Sequence, residues 1–152
     1  MSDFIDICVR GAEKQKFRVA KYPEEKFIYL NTSDTGIVER LESAYNELLA
    51  LGNQAVEIKS EDIDINSEES KALFAQLADI DAKMRDIVNT VFDSDVAEAC
   101  SGGGKMYDPV DGMFRFEAIL DDLMQFIKPY LEKAFEEVNT YREELTKKYR
   151  EG

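Results

Sequence analysis

The longest helical pattern in the chain lies in its last forty residues, from Met113 to Gly152. Apolar side chains recur there three or four positions apart, which places them on one face of an α-helix. This stripe is formed by Leu120, Leu123, Ile127, Tyr130 or Leu131, Ala134, Val138, Tyr141 and Leu145. Most side chains between them are charged, so the opposite face is a mixed-charge surface.

Pro129 lies inside this pattern. Because proline lacks the N–H that a continuous helix would donate to Gln125, the sequence predicts a kink or a break near Lys128. The last forty residues are therefore expected to form one long bent helix or two helices.

The tyrosines of the last helix have two interpretations. Their rings are apolar and their tips polar, which suits a protein interface, but the same side chains can also cover the edge of a core. The spacing does not decide between the two. The candidate partner-binding residues on this helix are Tyr130, Val138, Tyr141, Leu145 and Tyr149.

Two further amphipathic helices are predicted upstream. The first follows the capping residues 31–34, carries an apolar stripe from Ile37 to Leu51, and is expected to end at Gly52 and Asn53. The second begins at Ser67 or Asn66, and its apolar residues alternate four and three positions apart from Leu73 to Val91. Residues 54–67 between them are expected to form a loop or an edge strand.

The remaining segments are shorter. Residues 3–32 predict two or three strands, with turns at 11–15 and 22–25. One helical turn is expected at 96–100, capped by Asp93 or Ser94, before the glycines at 102–104 end it. Together these elements predict a single α+β domain, mostly α, over residues 1–152. A β-rich part (1–32) precedes a bundle of three to four helices (33–152) with a Gly-rich turn at 101–112.

Composition and charge narrow the possible functions. The 152 residues include 32 acidic and 19 basic side chains, a formal net charge of −13. Such a charge repels phosphate backbones and anionic lipid headgroups, so neither nucleic acid nor a membrane is an expected partner. The N-terminal segment lacks the features of a signal peptide, which predicts a cytoplasmic location. Residues 57–98 carry twelve acids against four bases, which indicates either a solvated face or a surface that attracts a basic partner.

The sequence offers no convincing catalytic, cofactor-binding or metal-binding residue. The acids at 62–68 alternate as in a calcium loop, but Ser67 replaces the required glycine and Leu73 the bidentate glutamate. The Gly-Gly-Gly-Lys run at 102–105 is followed by Met106, where a phosphate-binding loop needs Ser or Thr. Cys100 has no histidine to activate it, because the chain contains none. We therefore expect a protein without a cofactor that is not an enzyme.

Three segments of the chain, in this order, resemble a family of small acidic proteins encoded by phages and prophages of Gram-positive bacteria. They are KFIYLNTSDTGIVERLESAYNEL, MRDIVNTVFDSDVAEACSGGGK and FRFEAILDDLMQFIKPYLEKAFEEV, within residues 26–140. The middle segment matches through Val91, Phe92, Asp93, Val96, Ala97, Gly103, Gly104 and Lys105, and the last through Phe116, Glu117, Ala118 and Leu120. The chain differs from the family at 93–95 and by an inserted turn at 107–112.

The resemblance implies a role in the phage tail gene module. The expected function is that of a tail assembly chaperone, which keeps the tape-measure or tail-tube protein soluble in the host cytoplasm until assembly. Two alternatives remain: a structural tail component that self-associates and is part of the virion, and a regulatory module whose acidic face binds a basic protein.

Overall fold

The computed structural model describes residues 3–7, 9–11, 13–19, 25–59 and 66–151. The fold is α+β and mostly helical, as the sequence predicts. Its elements in chain order are β1 (Gln15–Val19), β2 (Lys26–Leu30), α1 (Gly36–Lys59), α2 (Glu68–Phe92), α3 (Ala97–Ser101), β3 (Pro109–Val110), β4 (Met113–Phe114) and α4 (Arg115–Glu151).

The two N-terminal strands pair with each other as an antiparallel hairpin in which Gln15 lies opposite Leu30. Alternation along β2 buries Ile28 and Leu30 in the core and leaves Phe27 exposed. Residues 3–7 and 9–11 contain no strand, so a third strand there is wrong for the described residues. The turn predicted at 22–25 lies, apart from its last residue, outside the described ranges.

Helix α1 begins at the predicted caps but ends later than predicted. The Oδ1 atom of Asp34 accepts a hydrogen bond of 2.9 Å from the N–H of Gly36. The helix then continues through Gly52 to Lys59, so the stop predicted at Gly52 is wrong, and so is the loop or edge strand predicted from residue 54 as far as Lys59. Residues 60–65 of that predicted segment lie outside the described ranges. Packing explains this glycine, because a Cβ atom at position 52 would lie 2.9 Å from the ring of Phe114.

Helix α2 packs against α1 and begins where the sequence predicts. The Oγ atom of Ser67 accepts a hydrogen bond of 3.1 Å from the N–H of Ser70. The short α3 does not use the caps predicted for it. Instead Oδ1 of Asn89 accepts hydrogen bonds from the N–H groups of Val96 and Ala97, at 2.8 and 2.9 Å.

The last helix contains 37 residues and is about 55 Å long. It starts at Arg115, after the short β3–β4 hairpin, and continues through Pro129, so the alternative of two separate helices is wrong. The kink at Pro129 stays a prediction.

One core cluster joins the hairpin and the helices. Its largest fully buried side chains include Leu30, Ile37, Leu48, Met84, Phe92 and Phe116. On α4 the buried residues end at Ile127, and Leu131 is the last to pack against the core. Residues 132–151, about 30 Å of helix, therefore extend beyond the body of the protein.

Candidate protein-binding site

An open apolar groove with a volume of about 840 Å³ lies between α1 and α4. We call it the α1/α4 groove. Its lining residues are Val38, Leu41, Glu42, Tyr45, Asn46, Met113, Glu117, Leu120, Asp121 and Met124. Val38, Met113 and Tyr45 remain 49%, 38% and 37% exposed, so no other part of the described chain covers them. A monomer thus leaves apolar surface in a concave site that a partner could cover.

Helical periodicity brings these residues together. On α1 the lining residues Val38, Leu41 and Tyr45 are separated by three and then four positions. On α4 Leu120 and Met124 are four positions apart. Of these, Val38 is absent from the apolar stripe that the sequence predicts for α1, because it follows the buried Ile37 directly. Two methionines contribute flexible, polarisable side chains that adapt to different partners.

The charge of the groove has one sign. Three carboxylates, Glu42, Glu117 and Asp121, lie along its lining, and its ten lining residues include no lysine or arginine. This arrangement attracts a basic segment and repels an acidic one. The groove therefore combines an apolar surface with a negative potential.

Glu117 is held in place from both sides. It accepts a hydrogen bond of 2.9 Å from the Tyr45 hydroxyl at Oε2 and one of 3.3 Å from the N–H of Phe114 at Oε1. Phe114 directly precedes α4, so the second bond is the glutamate half of a capping box. The bond to Glu117, together with partial burial and the charge of that carboxylate, raises the pKa of Tyr45 above its ordinary value.

The sequence-predicted partner-binding residues divide into two groups. Val138, Tyr141 and Tyr149 are exposed on the extended part of α4, and Leu145 is partly buried there. Tyr130 lies instead at the edge of the body, where its ring centroid is 5.9 Å from that of Phe17. Tyr130 thus covers the edge of the core, whereas the other four lie beyond it.

The Gly-rich segment is anchored by a buried carboxylate that the sequence analysis did not identify. Asp81 is 6% exposed, and its Oδ1 atom accepts a hydrogen bond of 2.7 Å from the N–H of Met106. Arg85 donates to Oδ2 of Asp81 at 2.9 Å and to the carbonyl oxygen of Gly104 at 2.6 Å. A solvated-face interpretation of the acids in 57–98 is therefore wrong for Asp81. Its position between Leu77 and Met84, on the apolar face of α2, is the signal that would have identified it.

Tyr107 lies beside this network. Its burial, with Asp81 and then Asp108 nearby, raises the pKa of the phenol above its ordinary value. Arg115 also packs here, because a Cβ atom at Gly104 would lie 2.6 Å from its guanidinium group. The network connects α2, the Gly-rich segment and the start of α4 in the body of the protein.

The geometry gives little support to a catalytic cysteine, a metal site or a membrane helix. Cys100 is half-buried against the core. Residues 62 and 64 of the calcium-loop pattern lie outside the described ranges, and among the residues that the structure does describe no cluster of three or more His, Cys, Asp or Glu side chains could hold a metal ion. In the same ranges, no helix has both the length and the apolar character required to cross a bilayer.

No family model, no curated protein and no solved structure matches this chain.

Proposed function

We propose that this protein is a non-enzymatic protein-binding module that holds an amphipathic α-helix of a client in the α1/α4 groove. The observation that carries this proposal is the uncovered apolar lining of that groove beside three carboxylates. Apolar contact area supplies most of the affinity in helix-in-groove recognition, and charge at the rim selects the partner and its orientation.

The groove favours a client helix with an apolar face and basic flanks. Val38, Leu41 and Met124 offer apolar contacts, and a cation on either side of the client helix meets Glu42 or Asp121. An acidic helix would be repelled by the same carboxylates and by the overall charge of −13.

The resemblance to small acidic phage proteins gives this module a more specific role. In that role it is a tail assembly chaperone in the host cytoplasm, and its client is the tape-measure protein or the tail-tube protein. Covering an apolar helix of an unassembled client would prevent that helix from aggregating. The exposed groove and the high acidic charge support this role, which needs no cofactor.

A structural tail component is the second candidate. It is favoured by the exposed residues of α4 beyond the body, because identical copies could associate through them and become part of the virion. This candidate requires large or open-ended assemblies, whereas a chaperone stays small until its client is present.

Co-expression with the client tests the main proposal. The tape-measure protein encoded in the same tail module is produced with wild type, Val38→Lys or Val56→Lys, and its soluble fraction is measured. Val56 is a matched control, since it is also a valine on α1, is 51% exposed against 49% for Val38, and lies outside the groove.

We expect wild type and Val56→Lys to keep the tape-measure protein soluble and Val38→Lys to fail. The tail-tube protein is tested in the same way. Equal rescue by all three proteins, or no rescue of either client by wild type, would contradict the groove as the client site. Circular dichroism of the purified variants checks that each is folded.

A further inference from the structure

The apolar stripe of α4 continues at regular spacing beyond the body of the protein. Leu131, Ala134, Val138, Tyr141 and Leu145 alternate three and four residues apart, as the a and d positions of a coiled coil do. We call these five residues the projecting stripe. After Leu131 none of them belongs to the core cluster or packs against it within the described chain. Val138 and Tyr141 are 48% and 63% exposed, which indicates that a second helix is missing from this face in a monomer.

The residues beside the projecting stripe indicate which helix that is. If Leu131, Val138 and Leu145 occupy a, the g positions are Tyr130, Glu137 and Glu144, and the e positions are Phe135, Arg142 and Tyr149. In a parallel pair of helices, each g side chain lies beside the e side chain five residues later on the other helix. Glu137 of each copy would then lie beside Arg142 of the other copy. The dimer would therefore contain two ion pairs between the helices.

The aromatic residues follow the same register. Tyr130 at g would lie beside Phe135 of the other copy, and Glu144 beside the hydroxyl of Tyr149. An antiparallel pair would instead place g opposite g and bring glutamates together, which is unfavourable. Within the described chain neither Glu137 nor Arg142 has an ion-pair partner, so both are available for an intermolecular pair.

We propose that the projecting stripe binds a second copy of this chain in parallel, and that Glu137 and Arg142 pair across the resulting two-fold interface. This dimer goes beyond the proposed function, because it uses the extended part of α4 and leaves the α1/α4 groove of each copy uncovered by the paired helices. One dimer would thus present two client grooves, and a client with two suitable helices would gain from binding both.

The length of the interface sets its strength. Only 20 residues of α4 follow Leu131, fewer than three heptads, and Ala134 and Tyr141 occupy d positions where leucine packs best in parallel dimers. We therefore expect a reversible dimer whose population rises with protein concentration. Sedimentation equilibrium should give a mass between 17.4 kDa and twice that value, approaching the larger value at high concentration.

A charge-exchange series tests the pairing. Glu137→Arg places arginine beside Arg142 of the other copy, and Arg142→Glu places glutamate beside Glu137. Each single variant should weaken the dimer by about tenfold or more, which corresponds to about 1.4 kcal/mol. The double variant Glu137→Arg with Arg142→Glu restores opposite charges and should recover most of the wild-type dissociation constant. Circular dichroism confirms that all the variants keep their helical content.

Cross-linking distinguishes the orientation of the helices. Lys148 follows Leu145 at the next d position, so Lys148→Cys brings two thiols together in a parallel dimer and keeps them apart in an antiparallel one. Oxidised glutathione should convert this variant to a covalent dimer. The control Arg150→Cys, at an outward-facing f position, should form far less, and the native cysteines are the same in both variants.

Several results would overturn the proposal. A wild-type protein that stays a monomer at every concentration would refute it. So would a double variant that dissociates as readily as the single ones. Equal cross-linking of Lys148→Cys and Arg150→Cys would exclude the parallel register, and a trimer mass would exclude the two-fold interface. Client rescue depends on the α1/α4 groove and not on the dimer. If the single variants still rescue the client, the groove works even where the dimer proposal fails.

Discussion

The hydroxyl group of Tyr45 on α1 donates a hydrogen bond of 2.9 Å to Oε2 of Glu117 on α4, between residues that both line the α1/α4 groove. Glu117 also accepts the N–H of Phe114, at the residue that precedes α4. One carboxylate thus fixes the start of the last helix and its distance from α1. The shape of the groove depends on this pair of residues.

Tyr45→Phe should therefore lower the free energy of unfolding, by at most about 1 kcal/mol because Tyr45 is partly exposed. The bond to Glu117 raises the pKa of Tyr45 in the folded protein. The stabilisation is therefore complete at pH values below the pKa of tyrosine in the unfolded chain, which is about 10. It is lost as the pH rises through the folded pKa. Urea denaturation at about pH 8 and about pH 11 measures the free energy of unfolding of wild type and Tyr45→Phe. The difference between the two proteins should be smaller at the higher pH. Tyr29→Phe, at an exposed site on β2, is the control and should match wild type at both pH values.

Asp81→Ala should destabilise the protein strongly, by about 3 kcal/mol, because it leaves the Arg85 side chain and the N–H of Met106 without their buried partner. Asp79→Ala is the matched control on the same helix. Asp79 is exposed, and among the described residues its one ion-pair partner is Lys83 at the surface, so its loss should change stability by less than about 0.5 kcal/mol. Urea denaturation measures both, and equal effects of the two variants would refute the anchoring role of Asp81.

Gly52→Ala tests why α1 continues through a glycine. The added methyl group would overlap the Phe114 ring, at an expected cost of about 1–3 kcal/mol, partly offset by about 1 kcal/mol of improved helix propensity. We expect the free energy of unfolding, measured by heat or urea denaturation, to fall by about 1 kcal/mol in total. Asn53→Ala, at the exposed neighbouring position, should be neutral or slightly stabilising. A gain in stability for Gly52→Ala as large as that for Asn53→Ala would contradict close packing at this site.

Deleting residues 138–152 separates the body from the extended part of α4. Because the core ends at Leu131, the shortened protein should keep its near-native unfolding transition when wild type is measured at a concentration where it is monomeric. It should also lose the ability to dimerise while keeping the α1/α4 groove. Unfolding of the shortened protein would show that the predicted interface residues Val138, Tyr141, Leu145 and Tyr149 belong to the core.

Helix caps and amphipathic spacing depend on residues close together in the chain, so the sequence predicts the parts of the fold that they determine. The Ser67 cap acts on an N–H three residues later, and Asp34 acts on one two residues later, so both could be read directly from the sequence. The amphipathic spacing of α2 and α4 likewise depends only on the chain near each residue. The helical class of the fold followed from these signals.

Features that depend on distant residues were missed. Gly52 resembles a helix stop until Phe114 is seen against it, and α3 takes its cap from Asn89 in the preceding helix. Asp81 was counted with the surface acids, because its partner Met106 lies in the Gly-rich segment. The α1/α4 groove is made of residues from two separated parts of the chain, and periodicity within one helix does not reveal how two helices will pack.

The most direct test of the central claim is a binding titration. Overlapping synthetic peptides from the proposed clients, a phage tape-measure protein and a tail-tube protein, are screened against the wild-type protein. The tightest-binding peptide is then titrated by fluorescence anisotropy into wild type, Val38→Lys and Val56→Lys. We expect an amphipathic helical segment with basic flanks, binding that weakens with added salt, and a loss of at least about tenfold in affinity for Val38→Lys alone. Equal affinity for Val38→Lys and Val56→Lys, or a preference for acidic peptides, would contradict client binding in the α1/α4 groove.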